Sequence, residues 1–196
     1  NAQLKGITSS QLGSLSTSNL QSLTTGQFQG LIAAQLNGLS SAQVQSLESA
    51  DLVAIKGTTM GAMGTSQIQA LSSTQVQNLT EQQLKGLSAD QIKAIDTVDI
   101  AALSTGQIAQ FKQDQIGQLT TNQIKALGTQ QIQALGASQI RGLTTTQMSA
   151  LSTDQLSALT TAQAKTLNAT QVNALSSAQI ASIETADLAA LAGTTT

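Results

Sequence analysis

Leu119-Thr120-Thr121-Asn122-Gln123-Ile124-Lys125-Ala126 is one complete copy of the eight-residue unit from which the whole chain is written. With its positions labelled a to h, the frame holds from Gln3 to Ala190 without insertion or deletion. Position e is Gln in 19 of 24 occurrences, the exceptions being Asn19, Asp51, Thr59, Asp99 and Asp187. Position f is always apolar. Position a is mostly Leu, with Ile7, Ile55, Met63, Ile95, Phe111 and Ile183 as apolar variants, b is mostly Ser or Thr, and h is usually Ala, Gly or Ser. Self-similarity at a fixed short period identifies a solenoid or array before any local assignment is made.

A Ser or Thr followed three residues later by Gln is the capping-box pattern, in which the hydroxyl accepts from the N3 amide and the Gln reaches back to the N-cap. Positions b and e supply it. The f residue and the following a are three apart and share one face of a helical turn, with the small h beside them. One uninterrupted helix is excluded by arithmetic: eight residues at about 100° each leave roughly 80° of drift per unit, which would wind the apolar stripe around the axis. The helix must therefore break in every unit, most naturally at the b hydroxyl. Charge agrees, since all ten acids lie at b to e. Six of the eight bases (Lys5, Lys85, Lys93, Lys125, Arg141, Lys165) lie at g, and Lys56 and Lys112 at b. That polarity suits a helix from c to h or the next a, with g facing solvent.

The fold class expected is all-α, a solenoid of short capped helices, one per octapeptide. The alternative is a β-solenoid, in which a bend in each coil would have to bring a and f to one face, because a strand alternates faces at every residue. One unit cannot fold alone: two buried aliphatic side chains gain roughly 3–6 kcal/mol, against a cost on the order of 12 for ordering eight residues. Stacking must supply the difference, so an elongated rod or spiral is expected.

The 196 residues contain no Pro, Cys, His, Trp or Tyr, Phe28 and Phe111 are the only aromatic residues, and charged side chains make up 9%. Without His or Cys, the commonest metal ligands, the usual general base and the best nucleophile are missing, and no disulfide can form. An enzyme is not expected, and no cofactor is called for. A formal charge of −2 offers no basic footprint for nucleic acid. No apolar run approaches the ~18 residues of a membrane span.

Three units replace both b and e with acids: Glu48 with Asp51, Asp96 with Asp99, and Glu184 with Asp187. These are the candidate cation ligands, although two carboxylates per unit are few for Ca²⁺, which takes 6–8 oxygens. The plainer reading is an acidic cap at a positive helix end. Gln at e has two readings as well: a ladder of amides presented to a repetitive partner, or a group that closes the cap and bonds backbone in the adjacent turn.

Leu39–Thr59 and Leu175–Thr195 match at 14 of 21 positions over a separation of 136 residues, which is 17 whole octapeptides. Both stretches carry an acidic unit and then Gly-Thr-Thr, at Gly57-Thr58-Thr59 and Gly193-Thr194-Thr195. The chain begins at Asn1. It is therefore expected to be a processed product or a segment of a longer array, continuous over 1–196 and in register over 3–190. The irregular unit Ile55–Ala62, with Thr59 at e and Gly61 at g, is either a kink or a decayed copy.

Copies such as Ser72-Ser73-Thr74-Gln75-Val76-Gln77-Asn78-Leu79 and Thr144-Thr145-Thr146-Gln147-Met148-Ser149-Ala150-Leu151 resemble the tandem [ST]-x-x-Q-[ILV]-x-x-L octapeptide arrays of large bacterial secreted or surface proteins often labelled adhesin-like. The resemblance implies an extracellular, cell-surface, structural role and carries no catalytic residue to transfer. The expected function is a non-enzymatic filament subunit or fibre shaft whose partner is itself. The alternative is an adhesin-type module using regularly spaced Thr, Ser and Gln toward a surface glycan, matrix or ice.

Overall fold

In the computed structural model, residues 4–192 are described, the side chains of Lys5 and Ala192 excepted. The described residues form a 3-10 turn, Leu4–Gly6, followed by 23 α-helices, from Ser9–Gly13 to Thr185–Ala192, with no strand among them. The β-solenoid alternative is thereby set aside. The second Gly-Thr-Thr run, at 193–195, lies outside the described residues.

Each helix starts at c and most end at g or h of one octapeptide, as in Glu81–Gly86, Ala89–Ala94 and Thr121–Ala126, while four end at f and Thr185–Ala192 runs past h. The break takes two residues. Around Glu81–Gly86 the b residue Thr80 has φ −74 and ψ 160, and the a residue Leu87 has φ −64 and ψ 136, so both are extended. No residue of either break needs a left-handed conformation, since the chain has no positive φ among its described residues. Glycine and proline are therefore dispensable as helix stops here. The interruption comes from b hydroxyls that prefer extended N-cap dihedrals.

Capping follows the expected pattern. Thr80 Oγ1 accepts from the Gln83 amide at 3.3 Å while the Thr80 amide donates to Gln83 Oε1 at 2.9 Å. At four b positions without a hydroxyl the Gln half of the arrangement persists: the amides of Ile32, Lys112, Gly128 and Gly136 donate to the Oε1 of Gln35, Gln115, Gln131 and Gln139, whereas the Gly64 amide donates to Asn37 Oδ1 instead.

The helices gather into two compact units, Asn1–Ala102 and Leu103–Thr196. Within the first, helices pack on the third one after them, as Ser9–Gly13 does on Ala33–Leu36, and Gly57–Met60 on Glu81–Gly86. Within the second the same rule joins Gln113–Gln118 to Ala137–Gly142 and Thr153–Ser157 to Ser177–Ser182. Three octapeptides thus make one turn of a helical solenoid in each unit. The f and a side chains fill its interior: Leu84, Ile92, Ile108 and Ile140 at f are wholly buried, and Leu87, Ile95, Phe111 and Leu143 at a are nearly so. The g bases Lys93, Lys125, Arg141 and Lys165 are exposed, and Lys85 is half-buried with its ammonium on Glu81.

Candidate functional site

The residue repeated most strictly is the e glutamine, and its surroundings decide what the array can do. Gln83 Oε1 is held by its own cap, and its Nε2 donates to the carbonyls of Leu52 and Ile55, both at 2.7 Å. Those acceptors lie 31 and 28 residues earlier, at f and the next a of the preceding turn. Gln91 repeats the arrangement on Met60 and Met63, Gln139 on Ile108 and Phe111, Gln155 on Ile124 and Leu127, and Gln171 on Ile140 and Leu143. The a carbonyl is the group that the break frees from helical bonding, and f and a frame that break. One planar amide, donor and acceptor at once, closes a helix start in its own turn and a helix end in the turn before.

This geometry rules against an exposed amide ladder. From Gln35 onward the e glutamines are buried, apart from half-buried Gln67 and Gln107. Of the e glutamines among the described residues only Gln11 is exposed, as is Asn19, and Gln27 is half-buried. The reading in which Gln closes the cap and bonds the adjacent turn is the one observed.

At the acidic units the e carboxylate makes a different contact. Asp51 is buried and accepts from Thr25 Oγ1 at 2.9 Å, and Asp99 is buried and accepts from Ser73 Oγ. Each donor is a c hydroxyl 26 residues earlier. A carboxylate has no proton to give the f and a carbonyls, so it takes one from the next available donor. Asp187 is also buried, whereas Glu48, Asp96 and Glu184 are exposed. Among the described residues no three acidic side chains are brought together as a metal would require. The units of Asp51 and Asp99 therefore each offer one buried, hydroxyl-bonded carboxylate and one solvated one, and the third pairs buried Asp187 with exposed Glu184.

Ile55–Ala62 serves a packing purpose that the sequence did not disclose. A Cβ added to Gly61 would lie 2.2 Å from the Gly86 carbonyl oxygen, and one added to Gly57 would lie 2.4 Å from that of Gln82. The same close approach joins Gly13 to Gly38 and Gly117 to Gly142. In all three, a g glycine meets an h glycine 25 residues later. The signal was available as a recurrent 25-residue glycine spacing, which means nothing until three octapeptides per turn are known.

Several surfaces are unremarkable chemically. Exposed large apolar side chains among the described residues are Ile32, Val53, Val98 and Leu188. No helix among them is long and apolar enough to cross a membrane. Of the two Asn-x-Thr sequences, Asn78 donates through its amide to the Thr74 carbonyl, and Asn168 caps the helix Ala169–Asn173.

These features define a class: a helical solenoid repeat protein with capped single-octapeptide helices. The ALTTAQ repeat matches residues 44–81, 92–129 and 124–161, which together span more than half of the chain, and the chain belongs to the ALTTAQ repeat family. No curated protein matches it.

Proposed function

We propose that this chain is a non-enzymatic, extracellular structural protein of the cell surface, serving as a filament subunit or as the shaft of a surface fibre through association with further copies of itself. The observation that carries this reading is the glutamine itself: the most regular polar group in the sequence is consumed inside the fold, turn after turn. What repeats is the means of holding turn to turn, with no repeated reactive group beside it. The absence of His and Cys from the sequence fits the same reading. Little charge separates neighbouring copies, which favours association. Negatively stained images of the purified chain should show extended fibres, and images of compact globules alone would refute the proposal.

A second reading keeps a specific observation. Helices Thr105–Gln110, Thr129–Gln133, Thr153–Ser157 and Ser177–Ser182 stack in succession, and their first residues Thr105, Thr129, Thr153 and Ser177 are all exposed. That row of hydroxyls suits an adhesin-type module for a surface glycan, matrix or ice. Saturable binding in glycan-array or ice-recrystallisation assays, lost on Thr129→Val with Thr153→Val, would favour it over the filament.

A further inference from the structure

Of the seven asparagines in the chain, Asn37 alone is followed by glycine, the others by Leu, Gln or Ala. Neighbouring turns account for both members of the pair. Gly38, at h, stands against the turn before it: a Cβ added there would lie 2.3 Å from the Ser9 carbonyl oxygen, and one added to Gly13 would lie 2.2 Å from that of Gly38. Asn37, at g, is exposed and faces the turn after it. Its Oδ1 accepts from the Gly64 amide at 2.7 Å, its Nδ2 donates to the Ala62 carbonyl at 3.4 Å, and its own carbonyl accepts from Gln67 Nε2 at 3.3 Å. Gly64 is a b residue with neither hydroxyl nor Cβ. Gln67 Oε1 lies 2.6 Å from where that Cβ would stand and accepts from Ser66 Oγ. The b amide that other units satisfy from within is therefore satisfied here by Asn37 of the preceding turn.

An asparagine next to glycine carries a chemistry of its own, because no side chain shields the glycine nitrogen. Attack of the Gly38 nitrogen on Asn37 Cγ forms a new C–N bond, closes a succinimide ring and expels the side-chain nitrogen as ammonia, which takes the Gly38 amide proton. Water then opens the ring. Breaking the new bond leaves an aspartate, and breaking the original peptide link leaves an isoaspartate. The fold holds the reacting atoms apart. Asn37 ends the helix Ala33–Leu36 with φ −67 and ψ −16, whereas ring closure needs rotation about Cα–C until Cβ eclipses the Gly38 nitrogen. The Gly38 amide is also engaged, donating to the Gln35 carbonyl at 3.1 Å. That rotation breaks this bond and withdraws the Asn37 side chain from Gly64.

We propose that Asn37 is a site of spontaneous deamidation that reacts only when its turn opens, and that the isoaspartate formed there prevents the turn from closing again. An aspartate retains an acceptor for the Gly64 amide. An isoaspartate adds a methylene to the main chain where Gly13, Gly38 and Ser9 leave no room for a methyl group. The pair thus keeps an irreversible chemical record of opening in the unit Asn1–Ala102.

The test follows the 196-residue chain by peptide mass mapping in mildly alkaline buffer, folded and in guanidinium chloride. In denaturant Asn37 should take the amide-to-acid mass shift before Asn78 or Asn173, and Gly38→Ala, whose folding is immaterial there, should suppress it. In the folded chain the shift should appear at least about tenfold more slowly, as for a reaction that waits on local opening. Once denaturant is removed, molecules bearing isoaspartate should melt at a lower temperature than the untreated chain, whereas Asn37→Asp should melt close to it. Conversion in denaturant no faster at Asn37 than at Asn78 would overturn the site. Equal rates in the folded and unfolded chain would overturn the gate, and unchanged melting of the isoaspartate form would overturn the record.

Discussion

Gln83 makes four hydrogen bonds with one amide, accepting two at its own cap from the Thr80 amide and hydroxyl and donating two across to the preceding turn. Glutamate could accept at the cap but not donate across, and leucine could fill the space but do neither. At an interior position the loss is severe because the partners stay buried. Gln83→Leu leaves the Thr80 amide and the Ile55 carbonyl unsatisfied, at about 1–3 kcal/mol each, for an expected total near ~3 kcal/mol or more. At Gln11 the same change removes only a cap contact in solvent, at about 1 kcal/mol or less. Thermal or denaturant unfolding of the two variants should show that difference. Equal effects would mean that the cross-turn bonds contribute nothing. The aspartates at Asp51 and Asp99 obey the same logic from the other side: lacking a donor, each is matched by a hydroxyl, Thr25 or Ser73, from the turn before.

At the scale of the helix, five or six residues are too few to persist alone, since isolated helices shorter than about 12–15 residues are marginal in water. Each one exists because its ends are closed and its f side chain is buried. How near two helices come is then set by their smallest residues. Gly61 and Gly86 permit an approach at which a methyl group would overlap a carbonyl oxygen. Gly61→Ala should therefore destabilise the chain by roughly 1–3 kcal/mol, the range for overpacking. Gly106 stands within the helix Thr105–Gln110, and an added Cβ there would meet nothing nearer than the Ser104 hydroxyl at 3.8 Å. Gly106→Ala should stabilise by about 0.5–1 kcal/mol, as expected for an exposed helical glycine. Opposite signs in unfolding experiments are the expected result, and a destabilising Gly106→Ala would contradict the open surroundings described for it.

Across the whole chain, near-equivalence of the octapeptides makes partners interchangeable. A consensus octapeptide inserted between Leu143 and Thr144 would move the acceptors of Gln147 from Ile116 and Leu119 to Ile124 and Leu127, an equivalent f and a pair. Circular dichroism and melting temperature should change little. Four inserted residues would instead bring e opposite positions that offer no such pair, and should lower the melting temperature sharply. If both insertions behaved alike, stability would not depend on the register between turns. The extended connections matter here, because they let every unit end in the same way without a special residue.

The period, the capping box, the apolar f and a positions and the outward g bases were legible from residues alone, because each follows from contacts within about eight positions of the chain. Even the irregular Ile55–Ala62 stood out, though as a departure without a purpose. The tertiary structure decided three octapeptides per turn, the acceptors 28 and 31 residues before glutamines such as Gln83 and Gln139, the hydroxyl 26 before Asp51 and Asp99, and the glycine pairs 25 apart. All four are distances between turns. An octapeptide specifies how its own helix starts and stops, but the angle at each break fixes which later helix returns beside it, and that angle exists only once the turns have packed.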